Sequence, residues 1–303
     1  MNEIILNKDN ELTLETLNKY KESFIDYLDV DDLTLKAYRV GINNFMNYLK
    51  DNEIKQPVRD DVIAFRNELR KKYSSNTINS YMIAVRSLFK YLDIHKLYEN
   101  ICLNIKGAKY DTTPKKQVLT IEQAKKIYSN LTDLREKCIF SLLITTGLRG
   151  IEVSRAKIED IKIYNGEVVL WVQCKKHDSK DEYVKLSNQV LEDIKAYIGE
   201  RTSGSLFVST SNENYGEGIS TTSIRKIIKN IFKRFGLDSD TFSLHSMRRS
   251  SAVISYETGS SIYDIQQVLH HKSINTTTRY LKQVNRDKNK TEYNVANTIL
   301  GGM

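Results

Sequence analysis

A single tyrosine lies close to two adjacent histidines near the C-terminal end of the sequence. The stretch VLHHKSINTTTRYLKQV, residues 268–284, contains His270 and His271 and, nine residues after the second histidine, Tyr280. The chain has 18 tyrosines, so this proximity alone indicates little. A phenol becomes an effective nucleophile only when a base and cations assist it. The question is therefore whether other residues serve Tyr280.

Two further stretches supply cations and proton carriers. TTGLRGIEVSR places Arg149 in a turn that follows an apolar helix, and FSLHSMRRSSAVISY places His245 and Arg248 three residues apart, hence on one face of a helical turn. A phosphodiester attacked by a tyrosine needs cations on its non-bridging oxygens, a base near the phenol and an acid for the departing 5′-hydroxyl. Arginine forks fit phosphate, and histidines can bond it or move protons. Each residue taken singly has a structural explanation, and only the set indicates phosphoryl transfer.

Several familiar motifs are absent from the sequence. It contains neither G-x-x-x-x-G-K-[ST] nor G-x-G-x-x-G, so no NTPase or dinucleotide site is indicated. G-x-S-x-G and H-E-x-x-H are missing as well. Carboxylates are spread along the chain, and their spacing leaves a metal-dependent nuclease site open.

Composition favours a soluble protein of two domains. The chain has 303 residues, 40% of them hydrophobic and 28% charged. No apolar run approaches the roughly 18 to 20 residues that span a bilayer, so a membrane partner is not expected. The first residues lack the pattern of a secretory signal. Cys102, Cys138 and Cys174 are odd in number and far apart, which fits a reducing cytoplasm.

The basic charge of the chain is unevenly distributed. The net charge is +8, yet residues 1–113 carry 17 basic and 17 acidic residues, so the whole excess follows them. Within that first part, residues 1–61 are acidic and residues 62–113 are basic. A basic excess suggests a polyanionic partner, because Lys and Arg that displace counterions gain affinity for a phosphate backbone. A solvated cationic surface explains the composition equally well.

The pattern of apolar residues divides the chain at a basic segment. NIKGAKYDTTPKKQ, residues 104–117, lacks apolar periodicity and reads as an exposed linker. Apolar residues before it recur at helical spacing, which predicts four or five helices and no strand. EVVLWVQ and EYVKL after it predict a hairpin with KKHDSKD as its turn. Helices are expected over 120–130, 134–146, 187–198, 221–235, 246–258 and 261–270.

Candidate DNA-binding residues lie in the basic half of the first part and in the linker. Ser74, Ser75 and Asn76 are helix N-cap candidates, and the helix that follows carries two cations off its apolar stripe. A solvated helix face is the alternative for each. The candidates for contact with a phosphate backbone are Arg70, Lys71, Lys72, Asn76, Arg86, Lys90, Lys115 and Lys116.

The catalytic stretches resemble a known enzyme family. TGLRGIEVSR and LHSMRRSSAVISYETGSSIYDIQQVLHHKSINTTTRY resemble the conserved boxes of tyrosine recombinases, the lambda-integrase and Xer family. The resemblance covers essentially the whole chain. An Arg after T-G-L, then H-x-x-R, then a His nine residues before the Tyr form a specific ordered set.

The resemblance implies a role for each matching residue. Arg149 and Arg248 match the two arginines that clamp the scissile phosphate, and Tyr280 matches the nucleophile. His245 matches the first histidine, which bonds the phosphate, and His271 the second, which stabilises the transition state.

The match departs from the family pattern at the catalytic lysine and at the residue before His271. The family's lysine lies in a hairpin turn, usually G-K-G, and protonates the leaving 5′-oxygen. Lys175 is the candidate here, although the turn is longer and Lys176 or Lys180 could take the role. His270 stands where glycine is common, and a register slip of one residue would give it the role of His271.

Three smaller expectations also come from the resemblance. Arg249 stands where histidine is frequent, outside the core catalytic positions. Glu152 fits the family's acidic position, where we expect it to orient structure. A terminal helix in 291–303 with Tyr293, Ala296 and Leu300 at helical spacing is expected to dock into a neighbouring protomer, and packing on its own domain is the alternative.

The implied fold class is mainly α with a small antiparallel β-sheet in the C-terminal domain. The expected domains are a helical-bundle core-binding domain of the SAM-like type (1–103), the basic linker (104–117), a mixed α/β catalytic domain of the tyrosine recombinase type (118–290) and a tail helix (291–303). The implied reaction passes through a 3′-phosphotyrosine and needs neither ATP nor metal. Expected partners are double-stranded DNA recombination sites, a homotetramer with tail exchange and, in some systems, a partner recombinase or directionality factor.

Other functions stay open on the sequence alone. A type IB topoisomerase shares the catalytic residues and would relax a plasmid that lacks a specific site. A DNA-binding protein with a decayed site is a second alternative, and a metal-dependent transposase, which EDTA would stop, is a third. Within the recombinases, the short N-terminal segment favours a Xer-like resolvase or a simple integrase, whereas KKHDSKDEYVKL is closer to integrases of mobile elements.

Overall fold

The chain forms two units, Met1–Thr113 and Pro114–Met303. The computed structural model describes residues 12–109, 117–174, 177–237, 240–288 and 290–301, and for 283–288 it describes the backbone alone. None of the helices in these ranges combines the length and apolar character that crossing a membrane requires. Each unit has its own apolar core.

The first unit is a bundle of helices. Its described residues form α1 (Leu14–Tyr27), α2 (Asp32–Asp51), α3 (Arg59–Lys72) and α4 (Ser75–Ile94). Ser74 caps α4, because its hydroxyl accepts from the backbone N–H of Thr77. α2 and α4 cross closely at Gly41, where a Cβ would lie 2.8 Å from that of Ala84. This close crossing completes the apolar core of the bundle.

The segment after α4 is tied to the bundle through its carbonyl groups. Asn79, which is 5% exposed, donates to Ala108 O at 3.0 Å. Arg66 donates to Lys106 O at 2.8 Å. The first residues of the predicted 104–117 linker are thus bonded to α3 and α4, and residues 110–116 lie outside the described ranges. The domain boundary itself stays a prediction.

The second unit is mainly helical with one small sheet. α5 to α7 precede the sheet and α8 to α13 follow it. The helices are α5 (Ile121–Asn130), α6 (Leu134–Thr146), α7 (Gly150–Arg155), α8 (Asn188–Ile198), α9 (Thr221–Arg234), α10 (Leu244–Glu257), α11 (Ile262–Val268), α12 (Ile274–Lys288) and α13 (Thr291–Leu300). The strands are β1 (Ile161–Tyr164), β2 (Glu167–Val172) and β3 (Glu182–Lys185).

The sheet is antiparallel in the order β1-β2-β3. Leu170 pairs with Ile161 on one side and with Val184 on the other. The predicted hairpin corresponds to β2 and β3. The pattern did not reveal β1, because IKIY has only four residues and most of its side chains are exposed.

The central helix of this unit is α6, which ends beside the candidate site. Its side chains from Cys138 to Leu143 are buried, and it packs against α8 and α10. Gly147 ends α6 with a left-handed backbone, φ 64°. A Cβ at Gly147 would lie 2.4 Å from Leu269 Cδ2, so the start of the next segment requires glycine.

Tyr280 lies on a helix that the sequence did not predict. INTTTRYLKQV is rich in threonine, a β-branched residue with low helix propensity, and lay outside the helices that the sequence predicted. Packing forms the helix instead, since α12 contacts α10 and α11 and Leu281 is fully buried among their apolar side chains. The Tyr280 side chain therefore projects from a helix that packing holds in place.

Candidate active site

Tyr280 faces the two predicted histidines within the second unit. Its hydroxyl lies 3.1 Å from His245 Nε2 on α10. The ring centroids of Tyr280 and His271 are 5.4 Å apart, in an edge-to-face arrangement. His245 thus contacts the phenol oxygen, and His271 packs against the ring that carries it. This arrangement provides a hydrogen-bond partner that can accept the phenolic proton.

Arg149 is held at the N-terminus of α7 by a buried carboxylate. Its guanidinium Nη1 donates to Glu152 Oε1 at 2.8 Å, and its backbone N–H donates to Oε2 at 2.7 Å. Glu152 is completely buried, whereas the Arg149 side chain is 32% exposed. The carboxylate therefore fixes an arginine whose remaining N–H groups can reach a ligand from solvent.

Arg248 is anchored by backbone carbonyls on both sides. It is 2% exposed, and its Nη1 donates to Gly147 O at 2.8 Å. Its Nη2 donates to Leu269 O. Glu152 Oε2 lies 4.0 Å from Arg248 Nη1, so one carboxylate lies close to both arginines. The loop after α6, the helix α10 and the segment after α11 meet at this guanidinium.

His271 is oriented by a threonine on α12. Its Nδ1 lies 2.9 Å from Thr277 Oγ1, and Thr277 is fully buried. The backbone of His271 is held by Gln266, whose side-chain amide donates to its carbonyl at 3.0 Å. With Nδ1 engaged in this way, Nε2 is the ring nitrogen available to a phosphate oxygen.

The two histidines are neutral in the arginine-rich site. Burial lowers the pKa of His245, and Arg248, Arg249 and Arg149 lower it further. Burial, then Arg248 and Arg149, lower the pKa of His271 to about 3. The pKa of Arg248 falls to about 10, mainly through burial, which leaves it charged at neutral pH. Neutral His245 can accept a proton, while the arginines supply positive charge.

Comparison with protein-family models identifies the chain. The model described as "Phage integrase family" matches residues 117–286, and the one described as "Phage integrase, N-terminal SAM-like domain" matches residues 11–95. The chain belongs to the phage integrase family. It is a tyrosine recombinase of the lambda-integrase/Xer type, an enzyme class that breaks and rejoins DNA. The predicted family and enzyme class are thereby confirmed.

Individual relatives match the phage integrase chain over nearly its whole length. Tyrosine recombinase XerA of Pyrococcus horikoshii is 29% identical over 289 residues, 93% of this chain and 95% of the relative. The post-cleavage complex of the XerH site-specific recombinase with palindromic difH substrate has a TM-score of 0.75 at 18% identity, over 95% of this chain and 99% of that one. A lambda integrase tetramer on a Holliday junction has a TM-score of 0.71 at 19% identity, over 91% and 79%. The predicted fold class is confirmed.

The candidate lysines of this recombinase differ in what the structure describes. Lys175 and Lys176 lie outside the described residues. Lys180 bonds the carboxylate of Asp160 and lies 3.4 Å from Arg155 O. The ammonium group of Lys180 is therefore bonded to residues that precede β1. Lys175 stays the candidate for the catalytic lysine on sequence grounds.

The candidate DNA-binding residues of the first unit separate into two groups. Arg70, Lys71, Lys72, Asn76 and Lys90 are exposed, most of them where α3 ends and α4 begins. Arg86 instead donates to Met82 O at 3.1 Å and Ile105 O at 3.2 Å. It supports the segment after α4. Lys115 and Lys116 lie outside the described ranges.

Sequence reasoning assigned no role to Thr277, which orients His271. The sequence feature that could have indicated this role is that Thr277 precedes Tyr280 by three residues, which places both on the same face of a helix. This relation can be inferred from the sequence only when α12 is known to be a helix. Arg249 also went without a role, and its guanidinium carbon lies 6.0 Å from the Tyr280 ring centroid.

Acidification is expected to destabilise this recombinase through His271. Its folded pKa of about 3 lies below the ordinary value of 6.5. Between these values the unfolded chain binds a proton that the folded chain does not, so the free energy of unfolding falls as the pH drops through this window. At pH 5 the loss is up to about 2 kcal/mol.

Urea titrations of the wild type and His271→Asn at pH 7 and pH 5 measure this effect. Asparagine can replace Nδ1 toward Thr277 but has no imidazole to protonate. The wild type should lose more stability between the two pH values than the variant. Equal losses would show that His271 does not carry the acid sensitivity.

Proposed function

We propose that Tyr280 cuts one strand of a DNA recombination site and is joined to it as a 3′-phosphotyrosine. The phenolate oxygen forms a bond to the scissile phosphorus, and the bond from phosphorus to the 5′-oxygen breaks. A 5′-hydroxyl from another strand then reverses the step, so the phosphodiester is regenerated without an external energy source. The observation that carries the proposal is the 3.1 Å contact between Tyr280 Oη and His245 Nε2 beside two anchored arginines.

The roles of the surrounding residues follow from their charge states. Neutral His245 accepts the phenolic proton as Tyr280 attacks. Arg149 and Arg248 neutralise the charge that grows on the phosphorane oxygens. His271 donates from Nε2 to one of these oxygens, and Lys175 delivers a proton to the leaving 5′-oxygen. Each role is a proposal that rests on the placement described above and, for Lys175, on the resemblance.

Double-stranded DNA is the proposed substrate, and the proposed location of the protein is the cytoplasm. The exposed cations where α3 ends and α4 begins support binding to a phosphate backbone. Cys102, Cys138 and Cys174 are free and buried, which fits a reducing compartment.

A nicked suicide substrate tests the proposal directly. The full-length protein is incubated in EDTA with DNA from its source locus, and the products are separated on a denaturing gel. A covalent adduct is expected for the wild type and is expected to vanish in Tyr280→Phe. Tyr263→Phe is the matched control, because Tyr263 is 70% exposed on neighbouring α11, and it should retain the adduct. An adduct that survives in Tyr280→Phe would place the nucleophile elsewhere.

We also propose a homotetramer in which each α13 docks on a neighbouring protomer. Tyr293, Ile299 and Leu300 are each more than 70% exposed, and α13 buries no residue of its own. Such an apolar surface on a terminal helix is costly unless a partner covers it. A second copy is the proposed partner, since strand exchange needs several active sites on paired DNA.

Deletion of residues 291–303 tests the docking of α13. Cleavage of a single site should stay near the wild-type rate, because Tyr280 and its partners all precede the deletion. Formation of a paired complex, measured by gel shift with two labelled sites, should fall by at least about tenfold. Unchanged recombination by the truncated chain would refute the docking.

A further inference from the structure

His270 occupies an unusual backbone position between two residues of the candidate site. Its φ is 48°, in the left-handed region that non-glycine residues seldom adopt. The residue before it, Leu269, provides the carbonyl that anchors Arg248. The residue after it, His271, packs edge-to-face against Tyr280. The direction of the His270 side chain is therefore linked to the geometry of both neighbours.

The imidazole of His270 contacts both arms of the β2–β3 hairpin. It is 6% exposed, and its Nε2 lies 3.2 Å from Tyr183 O in β3. Its Nδ1 lies 3.4 Å from Cys174 Sγ, just after β2. One side chain thus joins the hairpin to the segment between α11 and α12.

The chemistry of these partners fixes the tautomer of His270. A carbonyl oxygen can only accept, so Nε2 carries the proton and donates to Tyr183 O. Nδ1 then accepts from the thiol of Cys174. Burial raises the pKa of that thiol to about 11, which keeps its proton in place at neutral pH. The two contacts are complementary, and the carboxylate of Glu182 lies 3.8 Å from the same Nε2.

We infer that His270 is a positioning residue that sets the β2–β3 hairpin against the cleavage site, so that the proton donor of the hairpin reaches the leaving 5′-oxygen. The inference rests on the proposed function. Cys174 directly precedes Lys175 in the sequence, so its contact with His270 lies next to the proposed donor. The two adjacent histidines then have different roles: His271 bonds the phosphate, and His270 positions the hairpin.

Sulfur substitution at the leaving group tests this role. A 5′-bridging sulfur leaves as a thiolate and needs no proton donor, whereas the ordinary 5′-oxygen does. The test compares single-turnover rates of adduct formation by the full-length chain on suicide substrates with oxygen or sulfur at this position. His270→Gly is the main variant, because glycine adopts the left-handed backbone readily and removes only the imidazole.

The expected result is a loss that depends on the leaving group. His270→Gly should cleave the oxygen substrate about 10- to 100-fold more slowly than the wild type, and the sulfur substrate at close to the wild-type rate. Cys174→Ala should show a smaller loss with the same dependence, and the double variant should resemble His270→Gly. His177→Ala is the matched control: it removes another histidine of the hairpin, bonded to Asp181 at 2.9 Å, and should leave the sulfur-to-oxygen rate ratio unchanged.

Several outcomes would overturn the inference. Equal slowing of both substrates in His270→Gly would mean that the residue acts on Tyr280 or His271. Wild-type rates on both substrates would remove any role. Lys175→Ala must also be rescued by sulfur, and a failure there would overturn the inference while leaving the Tyr280 chemistry intact. The proposed function fails separately, if the wild type forms no Tyr280-dependent adduct.

Discussion

Substitution of Arg248 by lysine is expected to slow formation of the Tyr280 adduct by about 100- to 1000-fold. The arginine holds a fixed orientation because Gly147 O and Leu269 O accept from its two terminal nitrogens. A lysine has a single nitrogen and cannot bond both carbonyls while also presenting N–H groups to the phosphate. The loss should appear in the rate of the chemical step under single-turnover conditions.

Arg249→Lys provides the matched control for this substitution. Arg249 is the next residue on α10, and its guanidinium lies beside the ring of Tyr280. It lacks the role that the resemblance assigns to Arg248, so its replacement should cost much less than that of Arg248. Both variants should be compared at a DNA concentration that saturates binding. If Arg248→Lys cleaves as fast as the wild type, the phosphate clamp is wrongly assigned.

Replacement of Glu152 by glutamine is expected to lower the free energy of unfolding by about 3 kcal/mol. The carboxylate is fully buried and bonds Arg149 twice, through its backbone and its side chain. Arg248, itself buried, lies 4.0 Å away. Neutral glutamine leaves two positive charges close together without a compensating charge, and the cost of a buried uncompensated charge is large. Urea titration of the full-length chain measures the change.

Glu167→Gln is the control for the stability measurement. Glu167 forms an ion pair with Lys185 at 3.2 Å, but both side chains are more than half exposed. Exposed pairs contribute between about 0 and 1 kcal/mol, so this variant should stay close to the wild type. A Glu152→Gln variant as stable as Glu167→Gln would contradict the interpretation that this carboxylate organises both arginines.

The helices of the fold could largely be predicted from the sequence, because apolar periodicity and capping residues agree with the packing. The expected helix at 134–146 matches α6, which begins after the capping residue Asp133 and ends at Gly147. Three segments were missed, β1, α12 and the six-residue α7. β1 and α7 are too short to show a periodic pattern, and α12 depends on tertiary contacts. The threonines of α12 favour other conformations locally, and burial of Leu281 outweighs that preference.

The candidate site could be predicted as a set of residues but not as a geometry. Arg149, His245, Arg248, His271 and Tyr280 were chosen from spacing and resemblance, and the fold brings them together within the second unit. The contact of His270 with both arms of the hairpin was not predictable, because it joins residues 87 and 96 positions apart. Local patterns carry no signal for such contacts.

The anchoring of Arg248 by main-chain oxygens bears on how this enzyme can be redesigned. A carbonyl group is retained whatever side chain its residue carries, so random mutagenesis around the site cannot remove these two acceptors directly. Gly147 is the exception, since its left-handed backbone strains any other residue and an added Cβ would press on Leu269 and Ser251. A library that keeps Gly147, the six proposed catalytic residues and the backbone path intact can therefore vary the surrounding surface in search of new DNA targets while Arg248 keeps its orientation.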